Sequence, residues 1–304
     1  MIAAAIDTGG TKIGGAAVDE NGTILKKIRI ENTGRTGPFI MAAYRQIITE
    51  LQKDFPLDAI GVGAGGRIDE EEGKVLYAVG IYTDYIGLPI KRLLEQEFHL
   101  PTAVTNDCRA ALAGEQWLGA AALYQDVTGI ILGTGLGGGV ISRGQLLPGS
   151  FGGLGEIGHM ILHPGGRPCT CGQRGCAEQY LSGTALWKSY NQRIGWDHLH
   201  SGYDFFTLID EKDRTALTIL ETFQRDLASL TVTLANLLDP ELILIGGGLS
   251  DTASYWWDGF LEHYHQTGNL HTKNQKLALA SKGNAAPLLG AARLAFDLCG
   301  EKMQ

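Results

Sequence analysis

The chain has 304 residues, 44% of them hydrophobic, which is enough for one large domain or two ordinary ones with a substantial core. Its formal net charge of −8 argues against a surface built for nucleic acids or other polyanions. The first apolar run, Ile2 to Ile6, stops at Asp7, and no apolar stretch reaches the length of a membrane span, so we expect neither a signal peptide nor a membrane partner. With five cysteines, the chain is predicted to be a cytoplasmic enzyme and not a disulfide-bonded scaffold.

A glycine-rich turn, DTGGTK, follows the first predicted strand, Ile2 to Ile6, and precedes a second, Ile13 to Val18. Such a turn directs several backbone N–H groups toward one point, which attracts phosphate. The hydroxyl of Thr8 adds to this set, and a carboxylate at the tip of a strand is suited to hold Mg²⁺ or its waters. The candidate nucleotide-binding residues are Asp7, Gly9, Gly10, Thr11 and Lys12. The alternative is an ordinary glycine-rich hairpin.

The next predicted elements place a carboxylate between a strand and a helix. A helix over Pro38 to Phe55 is followed by a strand, Ala59 to Ala64, and a helix over Ile90 to Phe98 is followed by a short strand that ends before Asn106. Asp107 follows, directly before a predicted helix over Cys108 to Leu118. A carboxylate in this position lies where α/β enzymes place reactive groups, and the helix N-terminus keeps it ionised, as a general base requires. The alternative is that Asn106 or Asp107 simply caps the helix.

A second glycine loop, Gly133 to Gly139, follows the predicted strand Val127 to Leu132. Superimposing Thr8-Gly9 on Thr134-Gly135 aligns strand, glycine loop, strand and turn in both halves of the chain. This repeat predicts an α/β protein with an actin-like, duplicated ribonuclease H-like fold, in which each half offers a phosphate-binding hairpin to a shared interdomain cleft. The candidate nucleotide-binding residues in this loop are Gly133, Thr134, Gly135 and Gly137. A dinucleotide-binding reading of GTGLGGG is weaker, because the residues that follow favour a strand over a helix.

Four potential metal ligands lie in the segment from Gly155 to Glu178, which reads GEIGHMILHPGGRPCTCGQRGCAE. One histidine and three cysteines form a standard closed set for structural zinc. The candidate ligands are His159, Cys169, Cys171 and Cys176. A metal here would pin a loop and thereby fix two carboxylates at its ends, Glu156 and Glu178. The alternative is three free thiols and an unrelated histidine; Cys108 and Cys299 are expected to be small buried apolar residues.

The last part of the chain is predicted to contain helices over Leu181 to Gln192 and Arg214 to Leu238, with an irregular surface stretch, Trp196 to Tyr203, between them. A buried strand, Leu242 to Ile245, leads into three glycines. We interpret Gly247 and Gly248 as the adenosine end of a nucleotide site, and a tight turn is the alternative. A final strand, Leu277 to Ala280, and a helix, Pro287 to Leu298, follow. The predicted domains are residues 1–117 with 288–304, and residues 118–287.

Taken together, these motifs resemble those of the ROK family of bacterial sugar kinases and related repressors, over nearly the whole chain. The matching segments are DTGGTK from Asp7, NDCRAALAGE from Asn106, GTGLGGG from Gly133, GEIGH from Gly155, CTCGQRGCAE from Cys169 and IGGGLS from Ile245. The resemblance implies that Asp107 is the catalytic base and that Asn106, Glu156, His159 and Glu178 contact sugar hydroxyls. It also implies a structural Zn²⁺ on His159 and the three cysteines.

The activity that the resemblance implies is phosphorylation of the 6-hydroxyl of a hexose or N-acylhexosamine by ATP with Mg²⁺, and a homodimer is usual. Repressors of the family carry an added N-terminal DNA-binding domain, whereas here the first hairpin begins at residue 2. A kinase is therefore expected, with a non-catalytic sugar-binding regulator as the alternative. The segment GGRID resembles the N-acetylmannosamine kinase branch and places Gly66 and Arg67 near the sugar. N-acetylmannosamine and glucose are the leading candidate substrates.

Overall fold

The computed structural model describes residues 1–34, 36–78 and 83–301. The chain forms two compact units. One comprises Met1–Leu123, Leu146–Leu154 and Asn284–Gln304, and the other comprises Tyr124–Gln145 and Gly155–Gly283. Compared with the predicted domain boundaries, this division groups residues 118–123, 146–154 and 284–287 with the first unit.

Groups of strands and helices follow one another along the chain. The first unit begins with β1 (Ile2–Thr8), β2 (Lys12–Asp19), β3 (Ile24–Glu31), α1 (Gly37–Gln52), β4 (Ala59–Ala64), β5 (Arg67–Asp69), β6 (Lys74–Tyr77), α2 (Ile90–Phe98), β7 (Thr102–Asn106) and α3 (Asp107–Leu118). There follow β8 (Val127–Leu132), β9 (Leu136–Ser142), β10 (Gln145–Leu146), α4 (Gly183–Ile194), α5 (Gly202–Asp210), α6 (Arg214–Leu238), β11 (Leu242–Gly246), α7 (Ala253–Thr267) and β12 (Lys276–Leu279). The chain returns to the first unit in α8 (Ala286–Glu301).

The two main sheets have the same topology. The first has the strand order β3-β2-β1-β4-β7 and the second has the order β10-β9-β8-β11-β12. In each sheet the first two strands form an antiparallel hairpin, β1 with β2 and β8 with β9. The first strand of the hairpin also pairs in parallel with a further strand, β4 or β11, which pairs in parallel with the last strand, β7 or β12. The duplication that the internal repeat predicted is therefore present, and the fold is the predicted α/β actin-like one. A small sheet of β5 and β6 adds Ile68 and Val75 to the core of the first unit.

The core of the first unit covers both faces of its main sheet. On β1, Ala4 and Ile6 belong to one apolar cluster, with α1, and Ala3 and Ala5 belong to another, with α8. A strand covered on both faces needs a continuous apolar run, which is why β1 does not alternate with polar residues. The helix α1 begins where the side chain of Thr36 accepts a hydrogen bond from the backbone N–H of Phe39.

Glycines bring α3 and α8 into backbone contact within the first unit. A Cβ on Gly290 would lie 1.7 Å from the carbonyl oxygen of Ala110, and one on Gly114 would lie 2.1 Å from that of Ala286. The strand β4 meets α8 in the same way, since a Cβ on Gly61 would lie 1.9 Å from the carbonyl oxygen of Ala291. These contacts hold the helix that begins at Asp107 tightly in place.

In the second unit, α4 to α7 pack around fully buried aromatic side chains, including Phe205, Trp256 and Phe260. The irregular stretch predicted over Trp196 to Tyr203 is wrong at its end, because α5 begins at Gly202. This helix opens with a capping box, in which Ser201 accepts from the N–H of Asp204 while the Asp204 carboxylate accepts from the N–H of Ser201.

Two further findings concern the predicted environment of the chain. Cys108 and Cys299 are partly exposed, so the prediction that they are buried is wrong. Across residues 1–34, 36–78 and 83–301, no helix combines the length and apolar character needed to cross a membrane.

The α3–α8 contact predicts a sharp difference between two glycines of the same helix. Gly290→Ala should lower the free energy of unfolding by about 3 kcal/mol, because its Cβ meets fixed backbone. Gly300→Ala has open space around the new Cβ and should stay within about 1 kcal/mol of the wild type. Urea unfolding monitored by circular dichroism measures both, and equal stability of the two variants would contradict the close approach.

Candidate functional site

The site in the first unit lies at the edge of the sheet where β1, β4 and β7 end. Asp7 of β1 lies opposite Gly63 of β4, and Gly63 lies opposite Thr105 of β7. Asp107 opens α3 directly after β7, and a Cβ on Gly63 would lie 3.5 Å from its Cα. The parallel strands therefore place the two carboxylates, Asp7 and Asp107, on either side of the end of β4.

The carboxyl group of Asp7 is perturbed by these surroundings. Its pKa is raised to about 7, first by burial and then by the negative charge of Asp107, while the positive charge of Lys12 partly opposes both effects. A carboxyl group that titrates near neutrality at a strand end is typical of functional sites. A cation bound nearby would favour the ionised form.

Asn106 fills the capping role that was the alternative reading of this position. Its side-chain oxygen accepts hydrogen bonds from the backbone N–H groups of Cys108 (2.9 Å) and Arg109 (3.2 Å). Its amide nitrogen donates to the carbonyl oxygen of Gly66 at 2.9 Å. Asp107 also accepts from the N–H of Cys108, at 2.9 Å. Asn106 thus joins α3 to the glycine turn after β4, next to the predicted base.

Hydrogen bonds within the turn and from Asn32 stabilise the first glycine hairpin. The N–H of Gly9 donates to the carbonyl oxygen of Lys12 at 2.9 Å, and Asn32 donates from its side chain to Gly9 (3.0 Å) and from its backbone to Thr11 (2.9 Å). A Cβ on Gly10 would meet nothing within 4 Å, so the tip of the hairpin is open. The expectation for Thr8 is wrong, because its hydroxyl is buried and pairs with the hydroxyl of Tyr44 at 2.6 Å.

Arg67 lies at the start of β5, beside the Gly66 turn. Its guanidinium packs on Gly153, where a Cβ would approach its Cζ to 2.6 Å. Its Nε is buried and has no hydrogen-bond partner within the described part of the chain. A buried donor of this kind is costly unless a bound group satisfies it.

The second glycine hairpin is in contact with Glu178. The Glu178 carboxylate accepts from the N–H of Leu136 at 3.1 Å, and a Cβ on Gly135 would come within 2.4 Å of its oxygen. The N–H groups of Gly183 and Thr184, at the start of α4, donate to the carbonyl oxygens of Gly133 and Thr134.

The glycine loop itself is shorter than predicted. Its open part comprises residues 133–135, because β9 begins at Leu136 and Gly137 pairs with Ile131 inside the sheet. Glycine is required within this strand, since a Cβ on Gly138 would lie 2.4 Å from both the carbonyl oxygen of Gly129 and the side chain of Ile157.

The third glycine segment links β11 to α7 through a short 3-10 helix, Gly248–Thr252. Gly247 has φ +87°, and a Cβ on it would lie 2.3 Å from the carbonyl oxygen of Leu132. Its carbonyl oxygen accepts from the backbone N–H (2.9 Å) and hydroxyl (2.7 Å) of Ser250. The joint is thus both the tight turn of the alternative reading and the predicted strand–glycine–helix connection.

The four predicted metal ligands come together in the second unit. The ligand atoms of His159, Cys169, Cys171 and Cys176 all lie within 4.8 Å of one another. Nδ1 of His159 is 3.8 Å from the sulfur of Cys169, and the sulfurs of Cys171 and Cys176 are 3.6 Å apart. A tetrahedral ion with bonds of about 2.3 Å to sulfur requires donor separations of about 3.8 Å. The residues therefore fit a closed zinc site, and the sulfur separation is too long for a disulfide.

Neighbouring side chains orient the ligands of this cluster. Nε2 of His159, on the far side of the ring, is 3.7 Å from a carboxylate oxygen of Glu156, and Gln179 donates to the sulfur of Cys169 at 3.6 Å. Burial and the adjacent thiols raise the pKa of Cys176 to about 12. A metal bound here must displace this proton, because the thiolate is the ligand form.

The loop that carries the cysteines is also anchored by groups outside the cluster. The guanidinium of Arg167 lies over the ring of Tyr180 at 4.6 Å and donates to the carbonyl oxygen of Gln179 (2.7 Å) and the hydroxyl of Ser189 (2.8 Å). His163 pairs with the buried Asp226 of α6, with 2.9 Å between Nε2 and Oδ2. Glu178 lies in the 3-10 turn Ala177–Gln179, between Cys176 and the residue whose carbonyl oxygen accepts from Arg167.

Sequence reasoning missed the residues that brace these positions. Asn32 and Tyr44 support the first hairpin, and Arg109 with Glu70 joins α3 to the β5–β6 turn. Only Arg109 had a visible signal, because it is a long charged residue in a helix that otherwise consists mainly of small or apolar residues.

Comparison with known proteins agrees with this architecture. The model of the ROK family matches residues 3–297. A glucokinase from Streptomyces coelicolor is 34% identical over 311 residues, covering 96% of this chain and 96% of its own. An N-acetyl-D-glucosamine kinase from Shigella flexneri is 30% identical over 265 residues, covering 81% of this chain and 83% of its own. The crystal structure of a ROK family glucokinase from Streptomyces griseus, in complex with glucose and AMPPNP, has 32% identity and a TM-score of 0.86, covering 98% of this chain and 100% of its own.

These similarities define the class first: the duplicated sheets form the actin-like fold seen in sugar kinases. The chain belongs to the ROK family, and the resemblance read from its motifs is confirmed. The predicted enzyme class, an ATP-dependent sugar kinase, agrees with these relatives.

The raised pKa of Asp7 predicts that the protein without nucleotide or Mg²⁺ loses stability as the pH rises. The folded state holds the proton of Asp7 up to about pH 7, whereas an unfolded chain releases it near its ordinary value of 3.8. The free energy of unfolding should therefore fall between about pH 4 and pH 7, by about 3 kcal/mol from this group.

Urea unfolding across this range measures the effect. Asp7→Asn should remove this part of the pH dependence, and Asp107→Asn should reduce it, because the Asp107 charge contributes to the shift. An Asp7→Asn variant with the wild-type pH profile would refute the assignment.

The donor cluster predicts about one tightly held zinc per chain. Cys171→Ser or Cys176→Ser should lose most of this zinc and lower the melting temperature, because metal binding stabilises the folded loop. Cys108→Ser is the matched control, since that residue lies outside the cluster, and it should keep its zinc. Elemental analysis of the purified proteins gives the content; zinc-free protein of full stability would contradict the site.

Proposed function

We propose that this member of the ROK family transfers the γ-phosphoryl group of ATP to the 6-hydroxyl of a hexose or N-acylhexosamine, with Asp107 as general base. The observation that carries the proposal is the placement of Asp107 and Asp7 at one sheet edge, beside the open tip of the first glycine hairpin. Relatives with this fold include a glucokinase that binds glucose and AMPPNP.

Phosphoryl transfer depends mainly on alignment and on neutralising charge. The 6-oxygen of the sugar attacks the γ-phosphorus, the bond to the leaving ADP oxygen breaks, and the hydroxyl proton passes to the carboxylate of Asp107. At the start of α3 this carboxylate lies at the positive end of the helix dipole, which favours the ionised form that a general base requires. The hydrogen bond from Cys108 to Asp107 contributes to this stabilisation.

The proposed nucleotide site uses the three glycine segments. The hairpin residues Gly9, Gly10, Thr11 and Lys12 and the turn residues Gly133, Thr134 and Gly135 would present N–H groups and charge to the phosphates, with Gly137 in the strand behind and Gly247 and Gly248 at the adenosine. Asp7 is the residue that we assign to hold Mg²⁺ or its waters. When bound, the ion supplies positive charge that neutralises the phosphates.

In this proposal, the loop that carries the four candidate metal ligands positions side chains that contact the sugar. Its four positions are filled by protein donors, so a zinc ion there has no open site for chemistry. With Nδ1 of His159 facing the sulfurs, its Nε2 is available on the other side of the ring, next to Glu156. We assign His159, Glu156 and Glu178 to sugar hydroxyls, together with Asn106 and Gly66 of the first unit.

Arg67 bears on which sugar is used. Among the described residues its buried Nε has no acceptor, which favours a substrate that brings one, such as the carbonyl oxygen of an N-acyl group. The relatives include both glucokinases and an N-acetyl-D-glucosamine kinase. We therefore keep glucose and N-acetylmannosamine as the leading candidates, and we expect a homodimer from the family resemblance.

A coupled assay of ADP release over glucose, mannose, N-acetylglucosamine and N-acetylmannosamine tests the function. The wild type should turn over at least one of these sugars, and Asp107→Asn should lower kcat by about a thousandfold while the fold stays intact. Asp54→Asn is the control, because that carboxylate is exposed and pairs with Lys26 in the same unit.

Two outcomes count against the proposal in different ways. Full turnover by Asp107→Asn would refute the assignment of the base. Sugar binding by the wild type without any ADP release would instead favour the non-catalytic regulator, which is the alternative within the family.

A further inference from the structure

Arg109 is a buried cation close to the proposed base that none of the assigned roles explains. It lies two residues after Asp107 on α3, and it is only 3% exposed. Arginine is almost never fully buried unless it is paired, because its charge must leave water. The surrounding helix residues are mostly alanines, so the side chain fills space that no neighbour on α3 occupies.

The guanidinium of Arg109 uses its donors on three separate segments. Nε and Nη2 form a bidentate pair with the carboxylate of Glu70, at 2.8 and 3.1 Å. Nε also lies 3.3 Å from the hydroxyl of Thr105, which itself donates to Glu70. Nη1 donates to the carbonyl oxygens of Leu147 and Leu154, the latter at 3.2 Å.

Each of these segments carries or supports a residue assigned to the sugar. Thr105 precedes Asn106 at the end of β7, and Glu70 follows β5, which begins with Arg67. The loop between Leu147 and Leu154 packs on β5, because a Cβ on Gly152 would lie 2.2 Å from the carbonyl oxygen of Ile68 and Gly153 underlies Arg67. All of them belong to the first unit.

We propose that Arg109 is a positioning residue, which through Glu70 and the two loop carbonyls sets the distance between Asp107 and the Gly66–Arg67 turn. Arg109 acts through its neighbours and is not assigned any contact with the sugar. The inference rests on the proposed function, because it concerns the geometry in which a sugar hydroxyl meets its base. It goes further by naming a residue outside every motif role described above.

The chemistry of the guanidinium explains why arginine is needed here. Its planar fork matches a carboxylate with two parallel hydrogen bonds and still has donors left for the carbonyl oxygens. A lysine keeps the charge but offers a single point of donation, so it cannot hold all three segments in one geometry. A buried ion pair contributes little net stability compared with an apolar pair of the same size. The main effect of the pair between Arg109 and Glu70 is therefore to fix the relative positions of the segments that it joins.

The experiment compares Arg109→Lys, Glu70→Gln and the double variant Glu70→Gln/Arg109→Gln, in which no charge remains unpaired. Arg29→Lys is the matched control, because its ion pair with Glu31 is exposed in the same unit. We measure kcat, the KM for sugar, the KM for ATP and the melting temperature of each protein, on the sugar that the wild type uses best.

For Arg109→Lys and the double variant, kcat/KM for the sugar should fall tenfold or more, because displacing reacting groups by about 1 Å can cost two orders of magnitude. The KM for ATP should stay within twofold, and the control should match the wild type. A further variant, Glu70→Gln/Arg109→Lys, should lose less than the product of the losses of Glu70→Gln and Arg109→Lys, because both changes break one network.

A role confined to stability gives a different pattern. In that case the melting temperature falls while the folded protein keeps kcat and the sugar KM within twofold of the wild type, and this result would overturn the inference. Absence of turnover by the wild type on every sugar would refute the proposed function instead. In that case, calorimetry measures the sugar affinity of Arg109→Lys and of the double variant. An affinity equal to that of the wild type in both proteins overturns the positioning role of Arg109.

Discussion

The parallel pairing of β1, β4 and β7 is the constraint on which the first unit depends. Parallel strands end at one edge, so the register brings Asp7, Gly63 and Thr105 into line and delivers Asp107 to the start of α3. The glycine contacts between α3 and α8 then fix where that helix starts. Both carboxylates thereby lie at the same end of the sheet, and burial together with the charge of Asp107 raises the pKa of Asp7.

The second unit has the same strand order but uses it differently. The first unit has acids next to the ends of β1 and β7, Asp7 and Asp107. In the second unit β8 leads into a glycine turn, after which the N–H of Leu136 donates to Glu178. That glutamate is held by a loop with little regular structure, which contains four side chains that fit a metal site and is anchored by the contacts of Arg167 and His163. A duplicated scaffold can thus support unlike sites, because function resides in the side chains at the strand ends.

Local patterns allowed much of this to be predicted from the sequence. The strands around DTGGTK, the helix at Asp107 and the four metal ligands depend on neighbouring residues, and the structure has each of them. The pair of Arg109 and Glu70 is separated by 39 positions, and no periodicity encodes such a partner. The helix α5 was missed because its signal is the capping box at Ser201, which a polar and aromatic stretch obscured.

The contact between Glu178 and the Gly135 turn has a consequence for the order of events in catalysis. The Glu178 carboxylate accepts from the N–H of Leu136 at the turn that we propose for the phosphates, and it is also one of the groups that we propose for a sugar hydroxyl. If a hydroxyl draws the carboxylate away, the N–H of Leu136 is released at the turn. Binding of the sugar would then change the affinity of this turn for the nucleotide, and the reverse, which is the basis of synergistic binding.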